Sequence, residues 1–160
     1  MMNVTLICVG KMKEKFYIDA AAEYQKRLTP FCRLNIVELP EEKLPQDPSQ
    51  ALIHAALAKE AAAIRAKLPP NARTVALCIE GQLLSSQELA KRLQTWQIGP
   101  TNRLVFLIGG SFGLDPELKN EAQVRLSMSP MTFPHHLARV MLLEQVYRAF
   151  QINGGSPYHK

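Results

Sequence analysis

The sequence predicts an α/β fold: a mostly parallel sheet with helices on both faces, built as one domain over residues 1–160. Three observations predict it. Strand-like and helix-like periodicities alternate along the whole chain, with no repeat or low-complexity tract between them. The run RLVFLI at 103–108 is continuously apolar after its first residue, as suits a strand covered on both faces. Hydrophobic residues at 47% and charged residues at 21% are ordinary globular usage, and a chain of 160 residues can bury roughly two-thirds of its unfolded surface without a metal or disulfide.

Residues 3–9 (NVTLICV) are β-rich and end at Gly10, after which KMKEKFYIDAAAEYQKRL places Phe16, Ala20, Tyr24 and Leu28 at helical spacing. RLNIVEL at 33–39 is a second strand, followed by the proline-rich, acidic PEEKLPQDP, which is expected to be a flexible excursion. The Ala- and Leu-rich residues 50–68 favour a long helix that Pro69-Pro70 stops. TVALCIE at 74–80 is a third strand. Ser85 with Glu88 three residues later is a capping-box pattern, so a helix should run from about Ser86 to Trp96. After RLVFLI and the glycine cluster GGSFG, Asp115 and Pro116 are the natural N-cap and first position of a short helix reaching about Ala122. The strand VRLSM and the loop SPMTFP lead into a last helix, roughly His135 to Gln151. Apolar residues occupy more than one face of that helix, so either its own fold encloses it or a second copy covers one side; a homodimer contact is the favoured reading.

Composition excludes a disordered tail protein, a collagen-like fibre and a disulfide scaffold. No apolar run is long enough to span a bilayer, and MMNVTLICVG lacks the basic start of an export signal. Cys8, Cys32 and Cys78 are odd in number and show no CxxC spacing, so they read as buried thiols in a reducing compartment, and a cytoplasmic location is expected. The net charge of +5, from 19 Lys and Arg against 14 Asp and Glu, favours a polyanionic partner without separating an RNA binder from a basic enzyme.

The cluster Gly109-Gly110-Ser111-Phe112-Gly113 follows a buried strand and precedes a helix, where open parallel sheets bind ligands. It has neither GxGxxG spacing nor a P-loop ending, so a tight turn without a ligand stays an equal alternative. In MSPMTFPHH (128–136) two prolines restrict the loop, whose Met and Phe side chains could pack a flat ring such as adenine or simply be core. Leu77 on its own reads as core. His135 and His136 invite a zinc hypothesis, rejected because no third ligand stands at metal spacing. His135 and Arg139, one turn apart, can share a helix face, while Glu144 and Arg148 read as a structural ion pair and His54 as a surface or satisfied helix histidine. Tyr158, His159 and Lys160 place a stacking ring, an imidazole and a cation together, groups that suit RNA, although a frayed tail is the bland alternative.

The strand ending VGK at 9–11, LIGGSFG at 107–113, LSMSPMTFPHHLARVMLLEQVYRAFQI from Leu126 and the closing PYHK occur in an order and spacing that span the chain. Together they resemble the RlmH family, small bacterial pseudouridine methyltransferases of large-subunit ribosomal RNA within the SPOUT superfamily. The resemblance implies a SPOUT-type α/β fold with a deep C-terminal trefoil knot that forms an S-adenosylmethionine site, a topology that connectivity rules alone argue against. Carried over by position, Leu77, Gly109, Gly110, Met128, Ser129, Pro130, Met131, Thr132 and Phe133 would hold the cofactor, mostly through backbone groups. The activity implied is methylation of N3 of a pseudouridine in 23S ribosomal RNA on assembled ribosomes. His135, Arg139, Tyr158 and His159 are the candidates for proton-accepting, electrostatic and base-holding roles. The family resemblance also implies a homodimer in which the tail of one subunit helps complete the neighbouring site. Lys160 stands where some relatives carry arginine, which keeps the charge but loses the bidentate fork. Two rivals differ in class: a non-catalytic RNA-binding or ribosome-assembly factor of the same fold, and a flavodoxin-like nucleotide binder.

Overall fold

A computed structural model describes all 160 residues, Met1–Lys160. Strands and helices alternate as β1 (Met2–Val9), α1 (Lys15–Leu28), β2 (Cys32–Leu39), α2 (Gln50–Lys67), β3 (Arg73–Leu83), α3 (Ser86–Gln97), β4 (Arg103–Ile108), α4 (Pro116–Glu121), β5 (Val124–Ser127) and α5 (His135–Asn153). The five strands form one parallel sheet in the order β2-β1-β4-β3-β5. The predicted α/β class with a parallel sheet is therefore what the chain adopts.

Strand side chains alternate between two hydrophobic layers, because successive residues point to opposite faces. Val4, Leu6, Cys8, Leu104, Phe106 and Ile108 face one layer with α1, α3 and α5. Ile7, Val9, Val105 and Leu107 face the other, with Ala61 and Ile64 of α2 and Leu118 of α4. With helices on both faces, the central strands β1 and β4 have no solvent side, which explains the unbroken apolar run at 104–108.

Local chemistry sets the helix starts. Ser85 and Glu88 close the capping box, with Ser85 Oγ accepting from the Glu88 amide at 3.1 Å and Glu88 accepting from the Ser85 amide at 2.9 Å. Asp115 accepts from the amides of Glu117 and Leu118, with Pro116 behind it. These contacts satisfy amides that the first helical turn leaves without partners.

Three expectations are corrected. The inner face of α1 is Tyr17, Ala21, Tyr24 and Leu28, whereas Phe16 is 66% exposed; the periodicity was right and its phase was one residue early at its start. The segment after β2 is held at its start, since Glu41 accepts from the Ser111 amide at 2.7 Å and the Glu42 amide donates to Glu60 at 2.9 Å. β3 runs on to Leu83 with an interruption: Leu77 and Gln82 both register with Leu126, so residues 78–81 leave the ladder. No helix is long and apolar enough to cross a membrane.

Candidate active site

The parallel strands deliver the turn after β4 and the loop after β5 to one edge of the sheet, the edge where open α/β sheets take ligands. A cavity of about 750 Å³ lies there, within the usual range for small-molecule sites. Its walls come from three distant stretches: residues 77–80 of β3, the turn at 108–114, and the loop after β5 through Met128 and Phe133. Lys119 of α4 and His135 and Ala138 of α5 complete it.

Each wall has a local cause. The β3 stretch reaches the cavity because residues 78–81 bulge out of the ladder past β5, and Gly81 permits the crossing: a Cβ there would stand 2.8 Å from the carbonyl carbons of Arg125 and Leu126. In the turn, the Gly113 amide donates to the Gly110 carbonyl at 3.0 Å, and a Cβ on Gly109 would collide with the Gly113 carbonyl. The turn's own tightness thus accounts for Gly109, while its position makes it a cavity wall. In the third stretch Ser127 Oγ donates to the Ser129 carbonyl at 3.1 Å and the Met131 amide donates to Ser129 Oγ at 3.0 Å, folding the loop back on itself.

Of the residues expected to hold a cofactor, all but Pro130 line this cavity. Pro130 shapes the backbone between Ser129 and Met131 instead. Apolar walls at Leu77, Ile79, Leu114 and Phe133 and exposed backbone at the turn suit a flat heteroaromatic group with polar edges. Glu80 and Lys119 pair at 2.5 Å on the same lining, and the lysine holds the Glu80 carboxyl below the usual range.

The residues expected to do chemistry do not share one place within the chain. His135 faces the cavity, its ring set edge-on to His136 with centroids 4.2 Å apart. Burial, and then the neighbouring His136, push its pKa below the ordinary 6.5. Arg139 is 3% exposed and engaged elsewhere: it donates to Glu38 at 2.6 Å and to the Gly10 carbonyl at 3.0 Å. Burial alone would raise the Glu38 carboxyl, but hydrogen bonds from Arg139 and the Met12 amide hold it below its usual value. Arg139 is therefore a cation bound within the fold, joining α5 to the ends of β1 and β2.

Tyr158 and His159 dock on the middle of α5. Tyr158 donates to Glu144 at 3.2 Å, its ring lies edge-on to Tyr147 at 5.0 Å, and Arg148 sits over it at 4.8 Å. Burial, and then the Glu144 charge, raise the phenol pKa, which keeps it a donor. Arg148 Nη1 faces His159 Nδ1 at 3.0 Å, and Gln87 Nε2 faces its Nε2 at 2.9 Å. The tail is thus ordered, and the Glu144–Arg148 pair read as merely structural is its anchor. His135 and Glu144 are nine residues apart on one helix, about 13 Å along its axis. A second, smaller groove of about 570 Å³ beside Glu144 is lined by Tyr24, Leu84, Leu89, Val140 and Met141.

Sequence reasoning missed Cys78, Ile79 and Glu80, whose role depends on a bulge with no local signature, and Glu38 and Glu41, which act through partners 101 and 70 residues away. No group of three or more His, Cys, Asp or Glu side chains gathers in a metal-holding arrangement.

A family model described as "Predicted SPOUT methyltransferase" matches residues 2–159. The protein named ribosomal RNA large subunit methyltransferase H from Bifidobacterium adolescentis is 48% identical over 159 residues, 99% of this chain and 100% of the relative. Relatives of the same name from Clostridium novyi and from Streptococcus equi subsp. equi are 47% and 46% identical over the same shares of both chains.

Proposed function

The chain belongs to the SPOUT methyltransferase family, and from that premise we propose that it methylates N3 of a pseudouridine in 23S ribosomal RNA on assembled ribosomes, using S-adenosylmethionine. The observation that carries this reading is the meeting of the β3 bulge, the turn after β4 and the loop after β5 around one cavity. Full-length relatives named for large-subunit ribosomal RNA supply the substrate class. The passage of residues 78–81 across β5 supports reading this region as the strand crossing of a trefoil knot.

The cavity fits the cofactor by volume and by its mixed apolar and backbone lining. Leu77, the Gly109–Gly110 turn and the Met128–Phe133 loop would hold it, and it would supply a methyl group already activated on a sulfonium. What remains for the protein is to align the pseudouridine N3, exclude water and accept or stabilise a proton's departure. We assign the proton to His135, which lines the cavity and whose lowered pKa keeps the imidazole neutral and accepting at pH 7. Tyr158 and His159 dock on α5 around Glu144, about 13 Å along the axis from His135, which supports assigning them to a partner's cavity in a homodimer. The smaller apolar groove along α5 is the face we assign to that dimer. Free thiols at Cys8, Cys32 and Cys78 support a cytoplasmic setting.

Mass mapping of large-subunit RNA after incubating unmethylated ribosomes with protein and labelled S-adenosylmethionine tests the reading. One methyl group on one pseudouridine is expected. Ribosome binding with no cofactor affinity by calorimetry would replace the enzyme with a non-catalytic assembly factor.

A further inference from the structure

From the end of β1 into the first residues of α1 the chain makes a short hook, residues 10–16 (GKMKEKF), whose side chains serve neither the cavity lining nor the tail cluster. It lies beside the cavity: the imidazole Nε2 of His135, a cavity residue, is 3.3 Å from where a Gly10 Cβ would stand, and that of His136 is 3.6 Å away. The hook is held from beneath. Arg139 donates to the Gly10 carbonyl, the Met12 amide donates to Glu38 at 3.0 Å, and Met12 is buried at 6% exposure. Anchoring Gly10 and Met12 leaves Lys11 and Lys13, on either side of Met12, both exposed.

The charges of the hook are not spent on one another. Lys15 pairs with Asp19 at 2.7 Å, and Glu14, the hook's one acid, turns to His136 at 3.5 Å. Lys11 and Lys13 form no ion pair. Phe16, 66% exposed, rests on Tyr17 at 4.4 Å, and Tyr17 meets His136 edge-on at 6.2 Å. Two unpaired cations on an anchored backbone, followed by an exposed ring and adjoining the cavity assigned to the methyl donor, match a strand with phosphates spaced along it and an unstacked base. An acidic protein surface would need the cations but not the ring or the neighbouring cavity.

We propose that this hook grips the backbone of the ribosomal RNA strand whose target base is presented at the mouth of the cofactor cavity, with Lys11 and Lys13 as its phosphate contacts and Phe16 as a stacking surface. The assignment rests on the reading of the chain as an RNA methyltransferase. On it, Arg139 is a positioning residue that acts on RNA only through the hook.

The test is equilibrium binding of labelled full-length protein to large ribosomal subunits across a salt series, with methyl transfer and S-adenosylmethionine affinity measured in parallel. Lys11→Gln with Lys13→Gln should weaken subunit binding about tenfold and lower the log–log salt slope by about two, while cofactor affinity and kcat at saturating subunits stay unchanged. Lys11→Arg with Lys13→Arg should restore both. Phe16→Ala should weaken binding without altering the slope, and Lys67→Gln, at the end of α2 remote from the cavity, should change nothing. Unchanged binding and slope in the double glutamine variant of an otherwise active enzyme would overturn the hook and leave the function standing. Wild-type protein that neither binds nor methylates subunits would overturn both.

Discussion

A buried arginine shows how one side chain can serve the site without facing it. Arg139 spans from Glu38 at 2.6 Å to the Gly10 carbonyl at 3.0 Å, and only a planar fork with several donors makes both contacts at once. Arg139→Gln should cost about 2–3 kcal/mol at pH 7, less than a fully buried pair because Glu38 keeps 33% of its side chain in water. The sign of the pH dependence follows from Glu38, whose pKa is lowered in the folded protein. Its contribution is complete above the ordinary 4.5 and is lost as the pH falls through the folded value. Urea denaturation should therefore show the gap between wild type and variant narrowing below pH 4.5. A gap that holds constant down to pH 3 would mean that Glu38 does not carry it.

Among the elements, the turn after β4 shows what was legible beforehand and what was not. Its place after an apolar strand and before the Asp115–Pro116 helix start follows from local patterns, and so does every strand and helix of the fold. The reason for its glycines does not, because Gly109 is fixed by the carbonyl of Gly113 and Gly110 by the carboxylate of Glu41, which belongs to a different crossover. The bulge at 78–81 was illegible for the same reason: it exists only because β5 runs past it, and TVALCIE alone reads as uninterrupted strand. The opening of α1 was misphased because Phe16 is apolar yet exposed, and its position suits a partner more than the core. The two glycines of the turn predict different outcomes. Gly109→Ala meets rigid backbone, a clash of about 1–3 kcal/mol that should appear as roughly ten- to hundredfold weaker S-adenosylmethionine binding. Gly110→Ala places its Cβ 2.5 Å from Glu41 Oε1, the end of a side chain that can swing away, so its effect should be several times smaller. Calorimetry on both variants, with circular dichroism to show that the sheet is retained, decides; equal losses would mean that Glu41 is as rigid as the backbone.

At the scale of the whole molecule, the separation between His135 and the tail cluster is what the proposed homodimer has to bridge. The tail is clamped to its own α5 by Glu144, Tyr147 and Arg148, about 13 Å along the axis from the cavity-facing end. If Tyr158 and His159 act in methylation, they act in a cavity other than their own chain's, and a symmetric pair of chains packed along α5 provides one. Mixing two inactive proteins distinguishes the arrangements. One lacks residues 157–160 and keeps its cavity; the other keeps its tail and carries Ala138→Trp, which places a large ring into the cavity lined by Ala138. Random exchange makes about half the dimers mixed. Each mixed dimer then has one intact cavity served by the partner's intact tail, so activity should return to about a quarter of wild type. If the tail serves its own chain, every mixed dimer has one site without a tail and one without a cavity, and mixing restores nothing.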